Sequence, residues 1–93
     1  MSLIQTLLQD MHKLEIELSR FEARFGVLSQ DFYVAMTQGD LEEFDALDDY
    51  RMEFVQWLGI YETWRSFNEK YRQLIDRQPV AVQIKTTLEP SHA

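Results

Sequence analysis

Two carboxylates one helical turn apart, Glu42 and Asp45, have a spacing that could bind a metal ion. Acidic residues three positions apart face the same side of a helix, where they can share a magnesium ion. That use requires a second acidic pair on a facing helix. Glu15, Glu17 and Glu22 in the preceding segment do not repeat the spacing. The sequence therefore gives only minor support to a magnesium-dependent nucleotide hydrolase.

Other kinds of catalytic site find even fewer candidate residues in the sequence than a magnesium site does. The two histidines, His12 and His92, have no partner at a metal-ligand spacing, and the 93 residues include no cysteine. The sequence also lacks a glycine-rich phosphate loop and a serine–histidine–carboxylate pattern. We therefore expect a non-enzymatic protein that needs neither a metal ion nor a cofactor.

Acidic residues are concentrated between positions 40 and 53. Seven carboxylates and one arginine give this segment a charge of −7 + 1 = −6, against a formal net charge of −7 for the chain. Such a block repels nucleic acid and attracts a basic protein, although carboxylates at a helix start also simply complement the helix dipole. We expect no binding to nucleic acid by the isolated chain. The predicted partner-binding acids are Glu42, Glu43, Asp45, Asp48 and Asp49.

The acidic segment lies between two long amphipathic stretches. Apolar residues recur at alternating spacings of three and four in residues 4–25 and again in residues 47–75. This periodicity predicts two long helices, each with one apolar seam. Ser2 and Gly26 are the residue types expected at the N-cap and the left-handed C-cap of the first helix.

A short helix is expected to connect the two long ones. Ser29 can cap its start and Gly39 can close it. Asp40 and Glu43 then form a capping-box-like pair, which is typical of a helix start. Aspartate is a poor interior helix former, so the sequence leaves open whether the next helix is continuous through residues 41–50.

The two seams carry more aromatic surface than one thin hairpin can hide. We expect residues 1–78 to form an all-α helical hairpin that dimerises into a four-helix bundle, although a hairpin folded only on itself would use the same seams. Gly59 indicates a close helix contact, and Asn68 could fix the register of a dimer. The predicted dimer interface comprises Leu14, Leu18, Phe21, Phe54, Trp57, Tyr61, Trp64, Asn68 and Tyr71.

Pro79 is expected to end the second long helix, so residues 79–93 form a separate tail. Apolar, β-branched residues alternate at Val80, Val82 and Ile84, which predicts an extended conformation. An all-helical domain offers no sheet to such a strand. The tail is therefore expected to be disordered alone, to pair with its symmetry mate, or to extend the sheet of a partner through these three residues.

The sequence also bears on location. It has no run of about 18 apolar residues and no basic, signal-like segment near Met1. The lack of cysteine fits a reducing compartment. We therefore expect a cytoplasmic protein that does not associate with membranes.

Four short motifs stand between residues 20 and 65. They are Arg24-Phe25-Gly26, Ser29-Gln30-Asp31-Phe32-Tyr33, Gln38-Gly39-Asp40-Leu41 and Trp57-Leu58-Gly59-Ile60-Tyr61-Glu62. Their arrangement resembles that of small bacterial antitoxin-like proteins, except that Gln56 stands where that group usually has glutamate. The resemblance implies neutralisation of a basic ribonuclease or nucleotidyltransferase-like partner, bound by the acidic face and the tail. The alternative is a purely structural helical dimerisation module.

Overall fold

The computed structural model describes residues 2–45, 48–75 and 80–88, and all of its regular elements are helices. Long helices α1 (Leu3–Phe25) and α4 (Asp48–Ile75) pack against each other, with α2 (Ser29–Thr37) as the short connecting helix. The predicted all-helical hairpin is confirmed, whereas the dimer and the four-helix bundle stay predictions. The helices are α1 Leu3–Phe25, α2 Ser29–Thr37, α3 Glu42–Asp45, α4 Asp48–Ile75 and α5 Val80–Leu88.

Both ends of α1 are set by the residues that the sequence indicated. The Ser2 hydroxyl accepts a hydrogen bond of 3.1 Å from the Gln5 amide, and the Ser2 amide donates to Gln5 Oε1 at 3.2 Å, which completes a capping box. At the other end Gly26 has a φ of 71°, and its amide donates to the Glu22 carbonyl at 2.8 Å. The predicted caps of α1 are confirmed.

The start of α2 differs from the expectation. Leu28 takes the cap position without a capping side-chain bond, and Ser29 is the first residue of the helix. The Ser29 amide donates to Glu22 Oε2 at 2.8 Å, so a carboxylate of α1 satisfies one of the free amides at the start of α2. The prediction of Ser29 as the cap is wrong because its hydroxyl accepts a hydrogen bond from Trp57 instead.

The acidic segment is divided between α3 and α4. Gly39, with a φ of 80°, follows the end of α2 as expected. Helix α3 then begins at Glu42, and α4 begins at Asp48. Positions 46 and 47, where continuity was left open, lie outside the described residues.

The core forms where α1 and α2 meet the first half of α4. Trp57 is 1% exposed, and its ring stacks on Phe32 of α2 with 3.8 Å between centroids. Phe21 and Phe25 of α1 stack on the same indole, each with centroids 5.5 Å apart. One side chain therefore ties three helices together. The buried cluster is Leu18, Phe32, Phe54, Trp57 and Tyr61, with Leu7 and Met11 buried farther along α1.

The hairpin uses much of its two seams internally. Leu18, Phe54, Trp57 and Tyr61, four of the residues predicted at a dimer interface, are buried within the single chain. They therefore leave little surface for a second copy. The other predicted interface residues are half-buried: Leu14, Phe21, Trp64, Asn68 and Tyr71.

The segment expected to be extended is helical. Val80–Leu88 forms α5, so the prediction of a strand for Val80, Val82 and Ile84 is wrong. Val80, Ile84 and Leu88 are also four positions apart, a spacing that aligns them on one face of a helix. A helix satisfies its own backbone hydrogen bonds, whereas a lone strand finds no partner. Residues 79 and 89–93 of the predicted tail lie outside the described ranges.

Candidate protein-binding groove

An open groove of about 620 Å³ lies at the end of the hairpin where α1 turns into α2. Its walls come from the C-terminal end of α1, from α2 and α3, and from the first half of α4. Most of the lining is apolar. The aromatic residues of the lining are Phe25, Phe32, Phe44, Tyr50, Phe54 and Trp57.

The aromatic wall is held by edge-to-face contacts around Phe54. The rings of Phe25, Phe32 and Phe44 lie 5.5, 5.3 and 6.4 Å from it between centroids, at interplanar angles of 65–70°. Such contacts contribute about 0.5–1.5 kcal/mol each beyond simple burial. Packing among the rings therefore forms the groove without a ligand.

One carboxylate belongs to the lining of this groove, and two more are next to lining residues in the sequence. Asp31 is exposed and belongs to its lining. Glu42 and Glu43 are exposed on α3, directly between the lining residues Leu41 and Phe44. The groove is therefore apolar with one carboxylate, Asp31, in its lining, and two further carboxylates are exposed on the adjoining helix α3.

One basic residue, Arg24, also lines the groove. Its guanidinium Nη2 donates to Glu53 Oε1 at 2.8 Å and forms an ion pair with that carboxylate. It also lies over the Phe25 ring, 5.1 Å from the centroid. Because Glu53 compensates its charge, Arg24 adds no net positive charge to the lining.

The structure brings only part of the predicted partner-binding set to the groove. Glu42 and Glu43 lie beside it, and the backbones of Asp45, Asp48 and Asp49 follow in α3 and α4, with side chains outside the described part. The predicted tail residues Val80, Val82 and Ile84 belong to α5, which follows α4 in the chain. Helix α5 contributes no residue to the described lining of the groove.

Sequence reasoning missed the groove itself. Leu41 and Phe44 were not predicted as site residues, although both are apolar side chains within a strongly acidic run. Val27 and Ala35 gave no signal at all, because their role depends on how α2 turns back against α4. The interruption of the acidic run by Leu41 and Phe44 is the one feature that could have indicated a mixed apolar and acidic surface.

A second, more open cleft of about 390 Å³ lies between α1, α2 and α4. Glu15, Glu22 and Trp64 contribute to its lining. The indole Nε1 of Trp64 is buried and finds no hydrogen-bond acceptor among the described residues. Trp64 therefore differs from Trp57, whose buried indole is hydrogen-bonded.

Two other kinds of site are missing from the described residues. Across residues 2–45, 48–75 and 80–88, no three histidine, aspartate or glutamate side chains are grouped so that they could hold a metal ion. Within the same ranges, no helix has both the length and the apolar character needed to cross a bilayer.

Comparison with known proteins does not assign the chain to a family. The groove is built from residues 24–57, which fall within the range of the antitoxin-like motifs. That resemblance concerns local sequence and stays a prediction. The chain matches no protein-family model, no curated protein and no solved structure.

Proposed function

We propose that this protein is a non-enzymatic, antitoxin-like binding protein that neutralises a basic partner protein. The groove receives an apolar side chain of the partner, and the carboxylates at its rim bind lysine or arginine residues beside that side chain. The observation that carries the proposal is the open aromatic groove with exposed Asp31 in its lining and exposed Glu42 and Glu43 on the adjoining helix α3. Concave apolar surfaces with a few polar groups are typical binding sites.

The shape of the groove favours a protein segment over a small flat ligand. Its aromatic wall is continuous with exposed Val27 and Phe44, so an apolar anchor can enter while its flanking residues stay over the rim. Buried aromatic anchors commonly supply most of the binding energy at protein interfaces. The surrounding charges then select partners by the sign of their surface.

The charge of the chain favours a basic partner. A net charge of −7 on 93 residues repels acidic surfaces and accelerates encounters with basic ones. A basic surface that binds nucleic acid or a phosphorylated substrate is inactivated when an acidic protein covers it. Neutralisation therefore requires no catalysis by this chain.

The tail enters this proposal as a helix. Since Val80–Leu88 forms α5, extension of a partner's sheet by a strand is no longer proposed. The exposed side chains of Val80, Ile84 and Leu88 give α5 an apolar face that can pack on a partner helix.

The test is co-expression with the products of the two genes that flank this one. We expect one of these products to arrest growth and this protein to relieve the arrest. Val27→Asp places a charge in the exposed loop that lines the groove and should abolish both the relief and direct binding. Leu8→Asp makes the same kind of change on an exposed part of α1 and should leave both intact.

The acidic rim is tested by Glu42→Lys combined with Glu43→Lys. Binding by this variant should weaken at low salt and should lose most of its salt dependence. Glu15→Lys combined with Glu17→Lys, at exposed positions of α1, is the control with the same change of charge. Absence of growth arrest by either flanking product, or relief that is insensitive to Val27→Asp, would overturn the proposal and favour a purely structural dimerisation module.

A further inference from the structure

Helix α5 lacks an extensive packing partner within the described chain. The helix pairs with extensive packing are α1 with α4, α2 with α4, α3 with α4 and α1 with α2. On α5 the side chains of Val80, Ile84 and Leu88 share one face and are 73, 53 and 73% exposed. An isolated helix of 9 residues is only marginally stable in water, so α5 needs a surface that covers this face.

The aromatic groove matches the apolar face of α5 in length and in chemistry. On the groove side, α4 contributes Tyr50 and Trp57, which lie about 10 Å apart along the helix axis, with Phe54 between them. On the other side, the face of α5 extends over about 12 Å, with an apolar residue at every fourth position. An amphipathic helix laid into an apolar groove is a common mode of peptide recognition.

The charges of the two surfaces are also complementary. Asp31 lines the groove and is exposed, and it forms no ion pair within the described chain. Lys85 is the only charged residue of α5, and it too has no ion-pair partner among the described residues. At about 100° per residue it lies about 60° from Leu88, at the border of the apolar face. A docked α5 can therefore place Lys85 beside the carboxylate of the groove.

Helix α5 is too close to the end of α4 to fill the groove of its own chain. Trp57 lies about 27 Å along α4 from its last residue, Ile75. The five steps from Ile75 to Val80 span at most about 18 Å, even when the chain is fully extended. Val80 and Ile84 therefore stay short of the groove, and only the last turn of α5 could touch its near edge.

We infer that the groove is occupied by α5 of a second copy of this chain. Because each copy has both the groove and the helix, two copies can exchange their α5 helices and form a closed dimer with two equal contacts. Each copy has a net charge of −7, so long-range repulsion opposes this dimer. Most of its stability must come from burial of the apolar face, with the pair of Lys85 and Asp31 at the border.

Such a dimer regulates the groove if the groove also binds a basic partner. This consequence rests on the proposed function, whereas the exchange of α5 does not. A docked α5 covers the aromatic wall, and its own apolar face is covered in turn. The dimer is then a resting form in which both surfaces are masked, and a partner protein must displace α5 to bind.

The exchange of α5 is tested by equilibrium sedimentation of the full chain over a range of concentrations. The unsubstituted protein should form a dimer. Ile84→Asp on α5 and Val27→Asp in the groove should each raise the dimer dissociation constant at least about tenfold, because each buries a charge in both contacts. Val82→Asp makes the same change on the opposite side of α5 and should leave the constant unchanged.

Charge reversal tests the pairing of the two surfaces. Lys85→Asp alone and Asp31→Lys alone should each raise the dissociation constant roughly fivefold, since each affects two equivalent contacts. The double variant should recover most of the lost affinity, and circular dichroism should show unchanged helix content in every variant. A protein that is monomeric at every concentration, a dimer that is insensitive to Val27→Asp, or a double variant as weak as the single ones would overturn the inference.

A last measurement separates the exchange of α5 from the proposed function. Addition of the growth-arresting product of a flanking gene should convert the dimer into a complex with one copy of each protein. A product that binds the intact dimer would refute the masking of the groove and leave the proposed function standing. If neither flanking product arrests growth, the proposed function fails, and the sedimentation of the variants still decides whether α5 docks in the groove.

Discussion

The indole Nε1 of Trp57 donates a hydrogen bond of 2.9 Å to the hydroxyl of Ser29, and both residues are buried. This bond joins the middle of α4 to the first turn of α2. The amide of the same serine is held by Glu22 of α1 at 2.8 Å. Ser29 is therefore a junction of three helices, and it orients the helix that forms one wall of the groove.

Replacement of the junction hydroxyl should destabilise the fold. In Ser29→Ala the Trp57 donor stays buried without an acceptor, which costs about 1–3 kcal/mol. Urea unfolding followed by circular dichroism measures the loss. Ser19→Ala is the control, because its hydroxyl bonds to the Glu15 carbonyl on the exposed side of α1 and should change stability by less than about 0.5 kcal/mol. Equal losses in the two variants would contradict a special role for Ser29.

Removal of the carboxylate that caps α2 should also weaken the hairpin. Glu22→Ala loses both an acceptor and a charge at a helix N-terminus, with an expected cost of about 0.5–2 kcal/mol. Glu22→Gln keeps an acceptor and should lose less. Salt screens the helix dipole, so the difference in stability between Glu22→Gln and the unsubstituted protein should shrink in high salt. Glu17→Ala, at an exposed position of α1, is the control. An equal loss of stability in that variant would refute the capping role of Glu22.

The features predicted correctly from the sequence are those with local causes. Ser2 and Gly26 cap α1 through bonds to residues a few positions away, so residue type and spacing suffice. Ser29 is also of a residue type that often caps helices, but in the structure its hydroxyl accepts a hydrogen bond from Trp57, 28 positions later. Only tertiary packing decides between those two partners. The groove is missed for the same reason, since its lining comes together from four helices.

Helix α5 shows the limit of periodicity in a short segment. Its apolar residues fit an alternating pattern at positions 80, 82 and 84 and a helical one at 80, 84 and 88. Over so short a segment both periods fit the apolar positions, so the pattern does not distinguish a helix from a strand. A helix forms its backbone hydrogen bonds within the segment, whereas a strand needs a neighbour, and this difference favours the helix.

Replacement by alanine should have opposite effects on stability at Gly26, which caps α1, and at Gly59 within α4. Gly26 at the C-cap of α1 has a φ of 71°, a conformation that costs an alanine roughly 1–2 kcal/mol, so Gly26→Ala should destabilise the hairpin. Gly59 is helical with open space around it, so Gly59→Ala should stabilise the dilute protein by up to about 1 kcal/mol. Thermal unfolding at low concentration measures both effects. A destabilising Gly59→Ala under these conditions would mean that the Cβ meets a neighbour after all.

The two tryptophans should differ in what they contribute to stability. Trp57 is almost fully buried and its indole is hydrogen-bonded, so Trp57→Phe loses a bond as well as packing volume. Trp64 buries its Nε1 with no acceptor in the described part of the chain, so Trp64→Phe removes an unsatisfied donor and recovers part of its desolvation cost. We expect Trp57→Phe to be more destabilising than Trp64→Phe by at least about 1 kcal/mol, measured by urea unfolding with circular dichroism.

Since each variant keeps one tryptophan, fluorescence checks that the remaining indole stays buried. Equal losses would contradict this difference between the two indoles.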